Sequence, residues 1–316
     1  MTAYSGVHHE DATREVTPDL AYKRLAIVNV VFYGPPGAGD RQWVLIDAGL
    51  PGTAGLIARA AAARFPSARP AAIVMTHGHF DHAGALGELA ERWQVPVYAH
   101  RLELPYLDGR SPYPPPDPTV GGGLMAGLSG LYPRGPIDVS RWLKPLPDDG
   151  SVPGMPGWRW LHTPGHTPGH VSLWREADRL LVAGDAFVTT KQESAYAVAV
   201  QKPEVHGPPM YYTPDWESAR TSVERLTALE PEAVVTGHGR VMRGAELRGA
   251  LRVLARDFRR LAVPKEGRYV HAPARADEHG TIYVPPKAQG ASSLTVLGVA
   301  LTLVGGWLLY RGVKRT

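Results

Sequence analysis

Short apolar runs punctuate the chain, and several of them stop abruptly at polar residues able to hold a metal ion. Residues 25–33 and 42–47 are rich in Val and Ile and flank the turn-forming stretch Gly34-Pro35-Pro36-Gly37-Ala38-Gly39-Asp40, so both predict strands. An alanine-rich helix is expected over residues 53–65 and a strand over 71–76. A second helix is expected over 83–93 and a further strand over 95–99. Strand, helix and strand in alternation is an α/β pattern. The second half repeats it, with strands expected over 158–162, 171–174, 180–183 and 233–236. A helix is expected from Thr213-Pro214-Asp215 to about residue 229, with Thr213 as its cap, Pro214 in its first turn and Asp215 complementing its dipole. A basic amphipathic helix follows over 244–261, whose arginines read as a solvated face.

Three stretches break the alternation. Residues 105–136 are dominated by Pro and Gly yet carry Leu124, Met125, Leu128, Leu131 and Tyr132, which reads as a lid or substrate-flanking insertion. Residues 263–291 are Pro-rich and polar, a linker or wrapping arm. Residues 294–310 (LTVLGVALTLVGGWLLY) carry no charge and are apolar all round. As a helix they would span about 25 Å, the low end for crossing a bilayer, and Trp307 and Tyr310 fall where an aromatic belt would lie. The partition expected is therefore a catalytic domain at 1–262, the arm at 263–291 and a membrane-anchor helix at 292–311.

Composition excludes more than it selects. With 316 residues, 44% hydrophobic and 20% charged, the chain can bury a substantial core. The net charge of +4 is spread rather than gathered in a stripe, so no nucleic-acid partner is expected. The absence of cysteine rules out disulfides, thiolate ligands and a cysteine nucleophile. No basic region followed by an apolar run opens the chain. The expectation is a catalytic part in the cytoplasm, anchored by the C-terminus, with a soluble cytoplasmic protein as the alternative.

The chemistry concentrates at residues 73–82, where an apolar strand runs into Thr76-His77-Gly78-His79-Phe80-Asp81-His82. His77 and His79, two apart, leave the strand on one side, and Asp81 and His82 follow a turn later. Three imidazoles and a carboxylate so close suit two adjacent cations better than one. His166, in Thr163-Pro164-Gly165-His166-Thr167-Pro168-Gly169-His170, Asp185 in Gly184-Asp185-Ala186, and His238 in Gly237-His238-Gly239 each lie beyond an apolar strand, which places them at one edge of a sheet structure.

HGHFDH at 77–82, TPGHTPGH at 163–170, GDA at 184–186 and GHG at 237–239, with Asp47 in a DAG segment, resemble in order and spacing the metallo-β-lactamase superfamily. The resemblance covers most of residues 25–245 and implies an αβ/βα four-layer sandwich. It further implies that His77, His79 and His166 hold one metal, that Asp81, His82 and His238 hold a second, and that Asp185 bridges them. Imidazole and carboxylate suit zinc, with iron or manganese as alternatives. Asp47 is expected to orient a ligating histidine, and His170 to open the next strand. The implied activity is hydrolysis of an ester, thioester or lactone of a small acyl substrate by a metal-bridging hydroxide, with Asp81 as the catalytic carboxylate. Tyr196, Tyr211, Tyr212 and His206 are candidate substrate contacts. The presence of Asp185 and the lack of cysteine argue against a β-lactam specialist, Val188 against an acyl-homoserine lactonase, and residues 187–193 against a glutathione thioester. What is left is a glyoxalase-II-like bacterial hydrolase. The alternatives are an oxygenase similar to the mononuclear-iron persulfide dioxygenases, and a non-catalytic metal-binding membrane protein.

Overall fold

The computed structural model describes residues 13–287. By its internal contacts the chain divides after Pro286, and every element described below belongs to the first unit. Seven strands form the first sheet: β1 (Thr13–Thr17), β2 (Leu20–Leu25), β3 (Val28–Tyr33), β4 (Val44–Ile46), β5 (Ala72–Val74), β6 (Val97–Ala99) and β7 (Leu143–Pro145), paired in that order. The expected strand at 25–33 is the second arm of a hairpin. Leu25 pairs with Val28 across Ala26-Ile27, and Ala26 takes a left-handed φ of 56° to close the turn. The second sheet holds β8 (Trp158–His162), β9 (Val171–Arg175), β10 (Leu180–Gly184), β11 (Ala233–Thr236) and β12 (Met242–Arg243), ordered β12-β11-β10-β9-β8.

The sheets face each other across Val31, Val44, Ile46 and Val74 on one side and Leu173, Val182 and Val235 on the other. Helices α1 (Ala54–Arg64) and α3 (Leu86–Trp93) cover the outside of the first sheet, burying Ile57, Leu86 and Leu89 over Leu45 and Ile73; the short α2 (Phe80–Ala83) lies between them in sequence. The second sheet is covered by α7 (Trp216–Ala228) and α8 (Gly244–Arg256), through Val223, Leu226, Leu247 and Leu251 against Leu181 and Val234. This is the αβ/βα four-layer sandwich.

Strand direction locates the site. β4, β5 and β6 run parallel, as do β10 and β11. Asp47, His77, Asp185 and His238 therefore emerge from carboxyl ends, the edge at which open α/β sheets build ligand sites.

Two helix expectations need correction. Asp215, not Thr213, caps α7, its Oδ1 accepting from Ser218 N at 3.0 Å, while Thr213 Oγ1 is spent on Pro209 O at 2.8 Å. The helix expected over 244–261 is broken at Asp257, which separates α8 from α9 (Phe258–Leu261).

The Pro- and Gly-rich stretch is built rather than formless. It carries α4 (Leu104–Leu107) at its start and α5 (Leu124–Leu128) near its end, and α6 (Ala195–Val200) lies beside it, Met125 N donating to Glu193 O. Residues 263–286 fold back as a hairpin, β13 (Arg275–Asp277) with β14 (Gly280–Tyr283). Thr281 N donates to Ser111 Oγ at 3.1 Å and Tyr269 OH to Pro115 O at 2.6 Å, which fastens this arm to the 105–136 segment. Among the described residues no helix is long and apolar enough to cross a membrane. The stretch at 294–310, on which the anchor expectation rests, lies outside them.

Candidate metal centre

All seven expected ligands meet at one buried point. Three overlapping sets form, His77 with His79 and His166, His77 with His82 and Asp185, and Asp81 with His82 and His238, the donor atoms of each within 4.8 Å of one another. Asp185 Oδ2 lies between the sets, 3.0 Å from His238 Nε2, 3.5 Å from His166 Nε2 and 3.6 Å from His82 Nε2. His79 Nδ1 and His166 Nε2 face each other at 3.0 Å. Local structure fixes several rings by their other nitrogen. His82 Nδ1 is 2.8 Å from Asp47 Oδ2, His238 Nδ1 is 2.6 Å from Ile27 O, and His77 Nδ1 is 3.1 Å from Thr76 Oγ1. The opposite nitrogen of each is thereby turned inward.

Those inward atoms fit a cation. Nε2 of His77 and of His82 and Oδ1 of Asp185 are buried without a hydrogen-bond partner, an arrangement that costs free energy unless something polar completes it. Burial first, then the neighbouring histidines, keeps His77 and His79 well below the usual imidazole range, and burial brings His166 down to about 3. These three are neutral lone-pair donors at neutral pH. For His82 burial is outweighed by Asp185 and Asp47, and for His238 by Asp185, so both are shifted upward. The acidic half of the cluster thus draws positive charge towards itself. Gly237 is required by close approach: a Cβ there would lie 2.0 Å from Asp185 Oδ1 and 2.6 Å from His82 Cε1.

Sequence comparison agrees with the geometry. Residues 24–238 match the family described as the metallo-beta-lactamase superfamily. The chain belongs to the metallo-β-lactamase superfamily. It is 51% identical over 230 residues to the "Probable metallo-hydrolase YflN" of Bacillus subtilis (strain 168), covering 72% of this chain and 87% of that protein. It is 29% identical over 201 residues to the "Probable metallo-hydrolase YybB" of the same organism, covering 64% and 77%. Two solved structures share the fold. One is a beta-lactamase domain protein from Burkholderia ambifaria (TM-score 0.54, 20% identity, 79% of this chain and 74% of that chain). The other is the metallo-beta-lactamase family protein TTHA1429 from Thermus thermophilus (TM-score 0.50, 22% identity, 78% and 81%). Membership and the names of the Bacillus relatives support a metal-dependent hydrolase.

In this superfamily member the histidines rest on a supporting frame, part of which the sequence reading missed. Asp47, expected to orient a ligating histidine, lies 2.8 Å from His82 Nδ1 and also accepts from Thr76 N at 2.8 Å. His170 faces inward but is spent, its Nε2 accepting from Asp185 N at 2.8 Å, so it holds the backbone of the central aspartate. Glu103 was not anticipated. Its fully buried carboxylate accepts from Gly78 N (3.0 Å), Gly169 N (2.9 Å), Thr167 Oγ1 (2.7 Å) and Tyr113 OH, and so ties the His77–His79 loop to the His166 loop. Burial raises Glu103 to about 7 against those hydrogen bonds. Asn29 was missed too; its Nδ2 donates to Thr236 O and Gly239 O and steadies the turn that carries His238.

Of the candidate substrate contacts, Tyr212 stacks on His79 with ring centroids 4.3 Å apart, and Tyr211 is buried beside it. Tyr196 instead faces solvent, 77% exposed on α6, and His206 is held in a backbone pairing with Val188. Tyr113, from the 105–136 segment, packs on His79 at 4.5 Å, and Tyr132 of the same segment packs on Phe80 at 5.6 Å. That segment therefore packs against the His79-Phe80 turn.

Proposed function

We propose that the protein is a dinuclear-metal-dependent hydrolase of glyoxalase-II-like type acting on a carbonyl ester, thioester or lactone. One cation would be held by His77, His79 and His166, the other by Asp81, His82 and His238, with Asp185 shared. The observation that carries this reading is the position of Asp185 Oδ2 between imidazoles of both sets, at 3.0 Å from His238, 3.5 Å from His166 and 3.6 Å from His82. Such cations would, when bound, acidify a water and polarise the carbonyl under attack. The chain's own groups supply the remaining work. Asp81, fixed in the first turn of α2 with Oδ2 3.4 Å from His238 Nε2, is placed to hold the proton released on attack and to return it to the leaving group. The Tyr113, Tyr132 and Tyr212 rings keep bulk water from the reacting carbon. Imidazole with carboxylate suits zinc first, and iron or manganese also.

The test is metal content of the full chain, purified without chelator and measured by elemental mass spectrometry. Two divalent ions per chain, falling to one or fewer in His82→Ala and His238→Ala, with turnover of a thioester, ester or lactone panel lost in parallel, is the expected result. One iron per chain, indifferent to both substitutions, would replace this reading with the oxygenase one. Full metal loading without turnover of any substrate in the panel would leave the binding-only alternative. Membrane anchoring through residues 294–310 is carried by sequence alone. Equal recovery of the full chain and of residues 1–287 from the membrane fraction would remove it.

A further inference from the structure

Two short helices leave apolar side chains uncovered. Leu131 and Tyr196, 72% and 77% exposed, are the most exposed large apolar side chains among the described residues, and Leu124 and Val200 are 45% and 44% exposed. Leu124 opens α5 and Leu131 follows that helix within a turn. Tyr196 and Val200 lie four apart on α6 and so share a face, while Val198 is buried. The two helices abut at their amino ends: Met125 N donates to Glu193 O at 3.1 Å, and a Cβ at Gly123 would lie 2.5 Å from that same oxygen. Cations gather beside this patch. Arg24 Nη2 donates to Val198 O at 3.0 Å. Burial first, then the charges of Arg14 and Arg240, lowers Arg24, so these two guanidinium groups stand close to it. Lys202, 76% exposed just past α6, meets Glu204 no closer than 3.9 Å.

We infer that α5 and α6 form a docking face for an anionic lipid surface, their exposed leucines, Tyr196 and Val200 entering the headgroup layer while the neighbouring arginines and Lys202 meet lipid phosphate. Each Lys or Arg held near an anionic bilayer strengthens binding about fivefold, and a tyrosine ring suits the level between headgroup and acyl chain. The apolar side chains protrude: none of them lines the concavities at Arg59–Arg92, at Arg101–His279 or around Pro168 and Ile282. Protruding side chains suit a yielding surface, whereas a helical peptide would need a groove. A second copy of the chain docked through the same patch would set like charges against one another. Attachment of this kind is reversible by itself, and the uncharged residues 294–310 of the same chain would supply a second. α5 belongs to the 105–136 segment, whose Tyr113 packs on His79. Docking would therefore hold the candidate metal centre beside the membrane, whichever reaction it performs.

The test puts a reporter on the face itself, so that it reads docking there and not elsewhere on the chain. The chain has no cysteine, so Leu131→Cys, Tyr196→Cys and, as a control on α8, Val253→Cys each take one polarity-sensitive fluorophore. Val253 is 43% exposed, and Leu131, Tyr196 and Lys202 are exposed too, so the variants should fold as the parent does. The labelled full-length proteins are mixed with phosphatidylcholine vesicles that contain or lack phosphatidylglycerol. The expected result is emission that rises and moves to the blue at the Leu131 and Tyr196 positions but not at Val253, and only with phosphatidylglycerol. Lys202→Glu changes the charge by two, so the lipid concentration at half the rise should climb ~10–25-fold. An unchanged midpoint in Lys202→Glu, or equal rises with the two kinds of vesicle, overturns the anionic surface. No rise at the Leu131 and Tyr196 positions, or an equal one at Val253, overturns the docking face. So does a rise that follows protein concentration without lipid, which would assign the patch to a second copy of the chain.

Discussion

Replacing Glu103 should weaken both the fold and the metal centre, by amounts that follow from what its oxygens accept. Each oxygen receives one backbone N–H and one hydroxyl, Gly169 N and Thr167 on Oε1, Gly78 N and Tyr113 on Oε2. Glu103→Gln keeps the shape but turns one oxygen into a donor. An NH2 group facing Thr167 would orphan Gly169 N, whereas one facing Tyr113 leaves Gly78 N still donating to Tyr113 OH at 2.9 Å, so the glutamine takes the second orientation and what is lost is the charge on the acceptor. Hydrogen bonds to a charged group are worth about 1.5–3 kcal/mol and neutral ones about 1 kcal/mol; a net loss of about 1–3 kcal/mol is expected. Glu103→Ala leaves Gly169 N and both hydroxyls without their acceptor, Gly78 N keeping Tyr113 OH, and should cost about 4 kcal/mol or more. Gly78 lies between His77 and His79, and Thr167 follows His166, so the same changes should lower metal affinity about 10–100-fold, as for other groups that orient ligands. Urea unfolding of the chelated protein at about pH 8.5, above the raised pKa of about 7 so that the carboxylate is ionised, gives the first quantity, and competition with a chromophoric chelator the second. If Glu103→Gln matches wild type within ~0.5 kcal/mol and in affinity, the carboxylate does not tie the loops together and the reasoning is wrong.

Three further outcomes follow from the same structure. Gly237→Ala places a Cβ 2.0 Å from Asp185 Oδ1 and should cost at least one metal per chain while far-UV circular dichroism stays native; unchanged metal content would show that Asp185 has room to shift. Asp47→Asn removes the acceptor 2.8 Å from His82 Nδ1, so affinity at the His82 position should drop about 10–100-fold, measured by isothermal titration with Zn²⁺. His100 is pulled down to about 4 by burial, then by His162 and Arg101. Because its folded pKa lies below its ordinary value of 6.5, the unfolded chain binds the extra proton, and stability present above pH 6.5 is lost as pH falls towards 4. Discounted for solvent screening near the surface this amounts to about 1–2 kcal/mol, and urea titrations of His100→Gln should show an acid limb shallower by that amount.

What could be read from the chain and what could not divide along a physical line. The convergence of the seven candidate ligands was legible because each closely follows an apolar strand, and strand direction alone sends Asp185 and His238 to the same edge as His77. Backbone signals for β8 and β11 were equally local, and their bounds, Trp158–His162 and Ala233–Thr236, match the expected ones. The supporting residues were not legible, because nothing adjacent to them states their task. Glu103 follows Arg101-Leu102 and reads as a solvent-facing turn; only the folding of Gly78, Tyr113 and Thr167 around it, from 10 to 64 residues away, makes it a buried acceptor. Asn29 hides in the apolar run of β3, and its partners lie more than 200 residues on. The break at Asp257 escaped for a related reason: the amphipathic period continues through it, and local apolar spacing carries no record of where a helix must bend. The Pro- and Gly-rich segment was legible as a lid or flanking insertion, but not the contacts that hold it, since they depend on the hairpin at 275–283 and on Tyr113 reaching His79. Placement of the candidate ligands is thus a property of strand ends, whereas their stiffness is a property of contacts distant in sequence. Substitutions that disable the site without touching a ligand are accordingly expected among residues such as Glu103 and Asn29, whose local sequence gives no warning.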